Sequence, residues 1–107
     1  MRAELLPGTL EMLILKALSL APMHGYAIAQ HLRQISEEVL HVEEGSLYPA
    51  LQRLLAKRWV RAAWRESPMK RRARYYTITA LGTKQLGSEV SSFQRMATAI
   101  HRVLKHS

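Results

Sequence analysis

The chain has 107 residues, carries a formal net charge of +8 and contains no cysteine. This length corresponds to a single domain with a limited core. The lack of cysteine excludes disulfide bonds and thiolate metal sites, and it is compatible with a reducing cytoplasm, where we expect the protein to be located. The apolar run Met12 to Leu20 is too short to span a bilayer, and its Lys16 also argues against a signal peptide.

The charge is distributed unevenly. Residues 1–50 contain three Lys or Arg and six Glu, a balance of −3, whereas residues 51–107 contain thirteen Lys or Arg and two Glu, a balance of +11. A polyanion is the expected partner of the basic half. An anionic membrane surface fits less well, because it requires the cations on an amphipathic helix with exposed aromatic side chains.

After a short lead-in from Leu5 to Gly8, the first predicted helix runs from Leu10 to Leu20. Thr9 is its predicted N-cap, and Glu11 lies near the positive end of the helix dipole. The helix is apolar on more than one face. We therefore expect it to pack both inward and against a second subunit.

The second predicted helix starts at His24-Gly25-Tyr26 and ends near Ile35. For His24, a capping or packing role is favoured over a phosphate contact. A connection over residues 36–43 leads to a third helix over residues 44–57. Two short helices with this spacing form a helix-turn-helix pattern.

The third helix has an apolar stripe and a polar outward face. The stripe consists of Leu47, Ala50, Leu51, Leu54 and Leu55, at helical spacing. Ser46 is the predicted N-cap, and Pro49 is expected in the first turn, where its missing amide costs no intrahelical bond. The outward and flanking positions hold Ser46, Tyr48, Gln52, Arg53 and Lys57. In an isolated helix, such a polar face would be interpreted as a solvated surface. Because this helix follows a helix-turn-helix spacing and precedes a basic hairpin, the face instead predicts a recognition helix for the DNA major groove.

Two strands are predicted next, over Trp59 to Glu66 and Arg74 to Thr79, because the first alternates and the second is rich in aromatic and β-branched residues. The basic connection between them makes a β-hairpin, or wing. Its candidate contacts to phosphates or the minor groove are Lys70, Arg71, Arg72 and Arg74. A solubilising loop is the alternative. Adjacent strand residues face opposite sides, so at least one of Tyr75 and Tyr76 is expected in the core.

The last predicted helix runs from Ala80 to about Lys105, with Thr79 as its cap. Its apolar residues follow a heptad spacing and are Leu86, Val90, Phe93, Ala97, Ile100 and Leu104. At about 39 Å, this helix is longer than a small core can cover. A dimer seam is therefore predicted, shared with Leu10, Leu13 and Ile14 of the first helix. Gly82 and Gly87 are expected to permit close approach of a neighbouring element.

The predicted fold is mostly α with a small β-hairpin. Residues 1–79 form a winged helix-turn-helix DNA-binding domain, whose first helix contributes to the dimer, and residues 80–107 form a C-terminal dimerisation helix. The sequence has no Asp, no Cys and no Gly-rich phosphate loop, and its His residues lack a metal-binding spacing. We therefore expect no enzyme, no metal and no cofactor.

In this order, the motifs resemble the PadR family of bacterial transcriptional regulators, in its compact subfamily with a single C-terminal helix. The matching segments are Gly8-Thr9-Leu10, Leu13-Ile14-Leu15, His24-Gly25-Tyr26-Ala27-Ile28, Gly45 to Leu54, and Arg72 to Thr79 with Gly82. The resemblance implies a winged-helix homodimer that binds a pseudo-palindromic operator and usually represses its target gene. It also implies that some relatives bind a small hydrophobic effector at the dimer interface. Compact members can use a tryptophan of the last helix to contact that effector. In this chain, Phe93 is the only aromatic residue of the last helix.

Within this hypothesis, Gln52 is assigned to adenine and Arg53 to guanine, because both side chains can bond bidentately to base edges. Tyr48 and Ser46 are assigned to phosphates, which position the protein without specifying sequence. A winged helix used as a protein-interaction module, with its wing on an acidic partner, is the alternative function. RNA binding ranks third, because aromatic stacking platforms are not apparent.

Overall fold

The computed structural model describes residues 8–106, and within them the chain forms four α-helices and a three-stranded antiparallel sheet. In chain order the elements are α1 (Thr9–Leu20), β1 (Met23–His24), α2 (Gly25–Ile35), α3 (Glu44–Ala56), β2 (Val60–Glu66), β3 (Arg72–Ile78) and α4 (Ala80–Lys105). The order of strands in the sheet is β1-β3-β2. The predicted winged helix-turn-helix with a long last helix is confirmed. Of the predicted lead-in, Leu5 to Pro7 lie outside the described residues.

Helix α1 is the centre of the core, because α2, α3, α4 and β3 all pack against it. Its buried apolar residues are Leu10, Met12, Ile14, Leu15, Ala17 and Leu18. The protomer's own elements cover most of the apolar surface of this helix, whereas Leu13 is partly exposed and Leu20 is 59% exposed; packing of α1 against a second subunit stays a prediction. The predicted cap was also wrong: Gly8, with a φ of 88°, precedes the helix, and Thr9 is its first residue.

The two helices of the helix-turn-helix begin differently from each other. His24 caps α2 as predicted, because its Nδ1 accepts a hydrogen bond from the amide of Ala27 at 3.2 Å. Helix α3 starts at Glu44, ahead of the predicted Ser46 cap: the carbonyl of Glu43 accepts from the amides of Ser46 and Leu47 at 3.0 and 2.9 Å. Ser46 is therefore a first-turn residue and not the N-cap.

The earlier start places Pro49 inside α3, where the prediction of a cost-free first-turn position was wrong. A residue there would normally donate its amide to the carbonyl of Gly45, and proline has no amide hydrogen to donate. Gly45 is exposed, so solvent can reach that carbonyl.

The wing consists of β2 and β3, paired from Val60↔Ile78 to Glu66↔Arg72. Its tip is closed by the amide of Ser67, which donates to the carbonyl of Arg71 at 2.8 Å. Strand β1 pairs with the other edge of β3; it was not predicted, because two residues carry no periodicity. Tyr76 is 3% exposed and lies in the core, as expected for one tyrosine of the pair.

Helix α4 is docked on the turn that follows α3. The Thr79 hydroxyl accepts from the amide of Gly82 at 3.0 Å and donates to the carbonyl of Arg58 at 2.8 Å. The Thr79 amide donates to the carbonyl of Trp59 at 3.0 Å. A Cβ at Gly82 would lie 2.0 Å from that same Trp59 oxygen, which confirms the predicted close approach there. A Cβ at Gly87 would meet no other part of the protomer within 4 Å.

The second half of α4 extends away from the core. From Ser91 to His106 every residue is exposed except Ala97, which is partly exposed. The large apolar side chains on this segment are Phe93, Met96, Ile100, Val103 and Leu104, each 46 to 74% exposed. We call these five residues the α4 stripe.

Candidate nucleic-acid interface

The outward face of α3 is open to solvent along its length. All five predicted contact residues of this helix and its C-terminal end are exposed: Ser46, Tyr48, Gln52, Arg53 and Lys57. The inward side holds the buried Leu47, Leu51 and Leu54, which fix the rotation of the helix. From Gly45 to Lys57 the segment contains no acidic residue. Beyond Glu44, the first residue of the helix, this face therefore carries no acid that would repel an anion.

Tyr48 lies on one flank of that face and packs against the first turn of α2. A Cβ at Gly25 would lie 2.9 Å from the Tyr48 hydroxyl oxygen and 3.1 Å from two ring carbons. Glycine at this position lets the ring lie close against the start of α2, while 43% of Tyr48 remains exposed.

Arg53 lies on the opposite flank and is connected to α1. Its Nε donates a hydrogen bond to Oε1 of Glu11 at 2.5 Å, and the two side chains are 53% and 9% exposed. Gln52 lies between the two flanks. The sequence analysis missed the Glu11–Arg53 pair, since the two residues are 42 positions apart and no spacing rule connects them.

The Glu11 carboxyl is held in its ionised form. Burial alone would raise its pKa, but hydrogen bonds from Arg53 and from the Glu11 backbone amide, together with the charges of Arg53 and Lys57, bring the pKa below the ordinary value of 4.5. The hydrogen bond to Arg53 is therefore charge-assisted at neutral pH.

Lys57 and the end of α3 form the transition to the wing. The Lys57 Nζ lies 4.5 Å from the centroid of the Trp59 ring, within the range of a cation–π contact. Arg58, with a φ of 61°, turns the chain towards β2. The recognition helix and the wing are thus joined by a turn that is itself basic.

On the wing, cations and aromatic rings lie side by side. The guanidinium of Arg72 is 5.7 Å from the Trp64 ring centroid, and that of Arg74 is 5.8 Å from the Tyr76 ring centroid. These contacts order the two arginines along β3. Lys70 and Arg71 lie at the exposed tip, where Lys70 has a φ of 57°.

The other face of the wing carries a cation that the sequence analysis did not select. Arg65 lies 4.0 Å from the Tyr75 ring centroid. The alternation along β2 had already placed Arg65 opposite Trp64, so the pattern contained this residue although no role was assigned to it. Basic side chains therefore occupy both faces of the hairpin.

Residues 14–88 match the family model described as the transcriptional regulator PadR-like family. The chain belongs to this family. It shares 40% identity over 87 residues with an uncharacterised 37.1 kDa protein in transposon Tn4556 of Streptomyces fradiae, which covers 81% of this chain but only 24% of that relative. The chain thus spans about a quarter of that protein.

Solved structures show the same fold. A PadR-like transcriptional regulator from Bacillus cereus has a TM-score of 0.80 and 28% identity, covering 94% of this chain and 95% of its own. A transcriptional regulator from Clostridium thermocellum has a TM-score of 0.81 and 25% identity, covering 89% and 92%. The resemblance to the PadR family is confirmed, and membership places the chain among DNA-binding transcriptional regulators and not among enzymes.

In this PadR-like chain the predicted dimer residues divide into three groups. Leu10, Ile14 and Leu86 are at most 9% exposed, because the protomer's own core covers them. Leu13, Val90 and Ala97 are partly exposed, and Phe93, Ile100 and Leu104 are open. The first group has almost no surface left to offer a partner, so the open part of the predicted seam is Phe93, Ile100 and Leu104, which belong to the α4 stripe.

Two further properties of the PadR-like fold concern residues 8–106 alone. No group of three His, Cys, Asp or Glu side chains there is arranged to hold a metal ion. No helix in that part of the chain combines the length and apolarity needed to cross a membrane.

Proposed function

We propose that this chain is a homodimeric repressor that binds a pseudo-palindromic operator through α3 and the wing. The observation that carries the proposal is the series of exposed cations that runs from Arg53 on α3, through Lys57 and Arg58, to the wing. Between Val60 and Ile78 the hairpin contains six cations and one acid, Glu66. Such a surface attracts a polyphosphate backbone and releases its counterions on binding.

The roles on α3 follow from position and chemistry. Gln52 lies on the exposed face, where its amide can bond an adenine edge, and the terminal nitrogens of Arg53 can bond guanine. Ser46 and the Tyr48 hydroxyl suit phosphate oxygens, which set the register of the helix in the groove.

The wing residues have the complementary task. Lys70 and Arg71 at the tip, with Arg72 and Arg74 behind them on β3, are placed to contact the backbone or the minor groove beside α3. The contacts of Arg72 with the Trp64 ring and of Arg74 with the Tyr76 ring help to hold the hairpin in shape. The contacts of the wing with DNA add affinity for any sequence and little discrimination.

Dimerisation is supported by the α4 stripe. Five large apolar side chains exposed along one helix are costly in water and typical of a protein–protein contact. Their heptad spacing suits a pairing of two α4 helices. A two-fold axis at this seam would present two α3 helices to successive major grooves, about 34 Å apart.

Repression and its relief complete the proposal. A dimer that occupies an operator excludes other proteins from the same DNA. A small hydrophobic effector would bind at the paired stripes near Phe93, the only aromatic residue of α4, and would act by favouring a spacing of the α3 helices that DNA does not accept.

The experiment that tests the proposal begins by capturing duplex fragments from a genomic library with the purified chain. Binding of an enriched fragment and of a scrambled one is then followed by mobility shift while the salt concentration is raised. We expect a preference for the enriched fragment that persists as the affinity for both falls. Binding of an acidic protein but of no duplex at low salt would overturn the proposal in favour of an interaction module.

A further inference from the structure

Glu11 is a buried acid that the proposed function does not use. It comes from the first turn of α1, is 7% exposed, and reaches across to Arg53 on α3. Its Oε1 accepts from Arg53, whereas its Oε2 is buried without a hydrogen-bond partner. A buried polar atom left unpaired requires an explanation, because most such atoms are satisfied.

Stability alone does not explain the unpaired oxygen. Burial of the carboxylate is unfavourable, and although the hydrogen bond and charge of Arg53, with Lys57 nearby, more than offset this for the ionised form, Oε2 still has no partner. An apolar residue of similar size would pack in the same place without an unpaired oxygen. Glu11 is therefore better explained by its effect on Arg53 than by a contribution to the core.

The geometry of the contact indicates what that effect is. A guanidinium has two kinds of donor: the Nε, close to the chain, and the two terminal nitrogens, which form the fork that suits guanine. The bond from Glu11 is to Nε. It restrains the side chain at its base and leaves the fork available, with about half of the side chain exposed.

Glu11 is also rigidly placed. Its neighbours Leu10 and Met12 are core residues, and α1 is enclosed by the other helices and β3. A long, flexible arginine loses rotamer freedom when it binds DNA, and a partner that restrains it beforehand lowers that cost.

We propose that Glu11 is a positioning residue for base reading, which fixes Arg53 through Nε so that its terminal nitrogens meet a guanine in the major groove. The proposal rests on the DNA-binding function proposed above. Glu11 contacts no DNA itself, and its removal reduces discrimination at the base pair read by Arg53 while leaving contacts to phosphates intact.

The test compares Glu11→Met, which keeps the volume and removes both acceptors, with Arg53→Ala and with the double variant. Glu89→Gln is the matched control, since Glu89 is an α4 acid lining the same recess of about 130 Å³ as Glu11. Affinity is measured for the enriched duplex and for duplexes substituted one base pair at a time. Thermal unfolding of each variant is recorded in parallel, so that a loss of fold is recognised.

We expect Arg53→Ala to lose about tenfold discrimination at one base pair. Glu11→Met should lose a similar factor at that same base pair, with no further loss in the double variant and none for Glu89→Gln. Affinity for scrambled DNA should stay within about twofold of the wild type.

Each other outcome has a defined meaning. If Glu11→Met keeps full discrimination, or binds every sequence more tightly, the positioning role is overturned while the proposed function stands. If Arg53→Ala leaves discrimination unchanged, the positioning role is also overturned and the proposed function stands, because Arg53 then reads no base that Glu11 could help it to read. If the wild type prefers no duplex at all, the proposed function and this inference both fail.

Discussion

At the residue scale, the exposure of the candidate interface side chains could be predicted from the sequence. The residues that contact those side chains within the fold could not. The helical period of α3 correctly identified Gln52 and Arg53 as accessible, because buried and exposed residues alternate with a fixed repeat. The Glu11 carboxylate was assigned to a helix dipole, since a local rule was the only one available. Its contact with Arg53 is created by the tertiary fold.

The Glu11–Arg53 pair predicts how stability depends on pH. The native pKa of Glu11 lies below its ordinary value of 4.5, so the ionised form stabilises the fold above pH 4.5, and this contribution is lost as the pH falls through the native pKa. The difference in unfolding free energy between the wild type and Glu11→Gln should therefore be constant near neutrality and shrink below pH 4.5. Chemical denaturation at a series of pH values measures it, and a difference that grows on acidification would contradict the pairing.

At the element scale, the long periodic segments were predicted well and the short or irregular ones were not. The extent of α4, Ala80–Lys105, and its Thr79 cap are as predicted, because a heptad repeat and a capping threonine are strong local signals. Helix α3 starts two residues before Ser46, since the backbone carbonyl of Glu43, and not a side chain, receives the first amides. Strand β1 has two residues and is a strand because it pairs with the free edge of β3.

The junction between α3 and α4 predicts opposite effects for two glycines of the same helix. Gly82→Ala should destabilise the fold by about 2 to 3 kcal/mol, because the new Cβ would meet the Trp59 carbonyl. Gly87→Ala should stabilise α4 by about 1 kcal/mol, because alanine is the better helix former and nothing lies within 4 Å. Urea unfolding of both variants tests this, and equal effects would refute the proposed close approach.

The wing predicts a change in salt dependence without a change in preference. Arg71→Ala removes one cation from the tip and should weaken binding to enriched and scrambled duplexes by the same factor. It should also lower the slope of log affinity against log salt by about 1. Arg102→Ala, an exposed cation in the last turn of α4, is the control and should leave the slope unchanged. A selective loss on the enriched duplex would mean that the tip reads bases.

At the scale of the whole molecule, the sequence predicted the class of fold and the place of the helix-turn-helix, whereas the role of α1 in a dimer stays a prediction. Apolarity on several faces has two explanations: a partner subunit, or several neighbours within one chain. At Leu10 and Ile14 the cover comes from within the chain, whereas Leu13 is partly exposed. Period alone cannot distinguish them, because it reports which face is apolar and not what covers it.

The α4 stripe predicts that one charge at its centre prevents pairing of protomers. Ile100→Glu should give a monomer at micromolar concentration in sedimentation velocity, with unchanged helix content, because two carboxylates would face each other across the seam. Ser92→Glu, on an exposed position outside the heptad seam, should leave the association state as it is in the wild type. A wild type that sediments as a monomer at this concentration would remove the symmetric arrangement.

The arrangement of two α3 helices on one duplex is tested most directly by changing the distance between half-sites. Once an enriched duplex is known, roughly 5 base pairs, about half a turn, are inserted at its centre and binding is measured at fixed salt. A dimer with α3 helices held about 34 Å apart should lose its preference for this duplex and bind it as it binds scrambled DNA. Unchanged affinity after the insertion would show that the two helices do not act as a fixed pair.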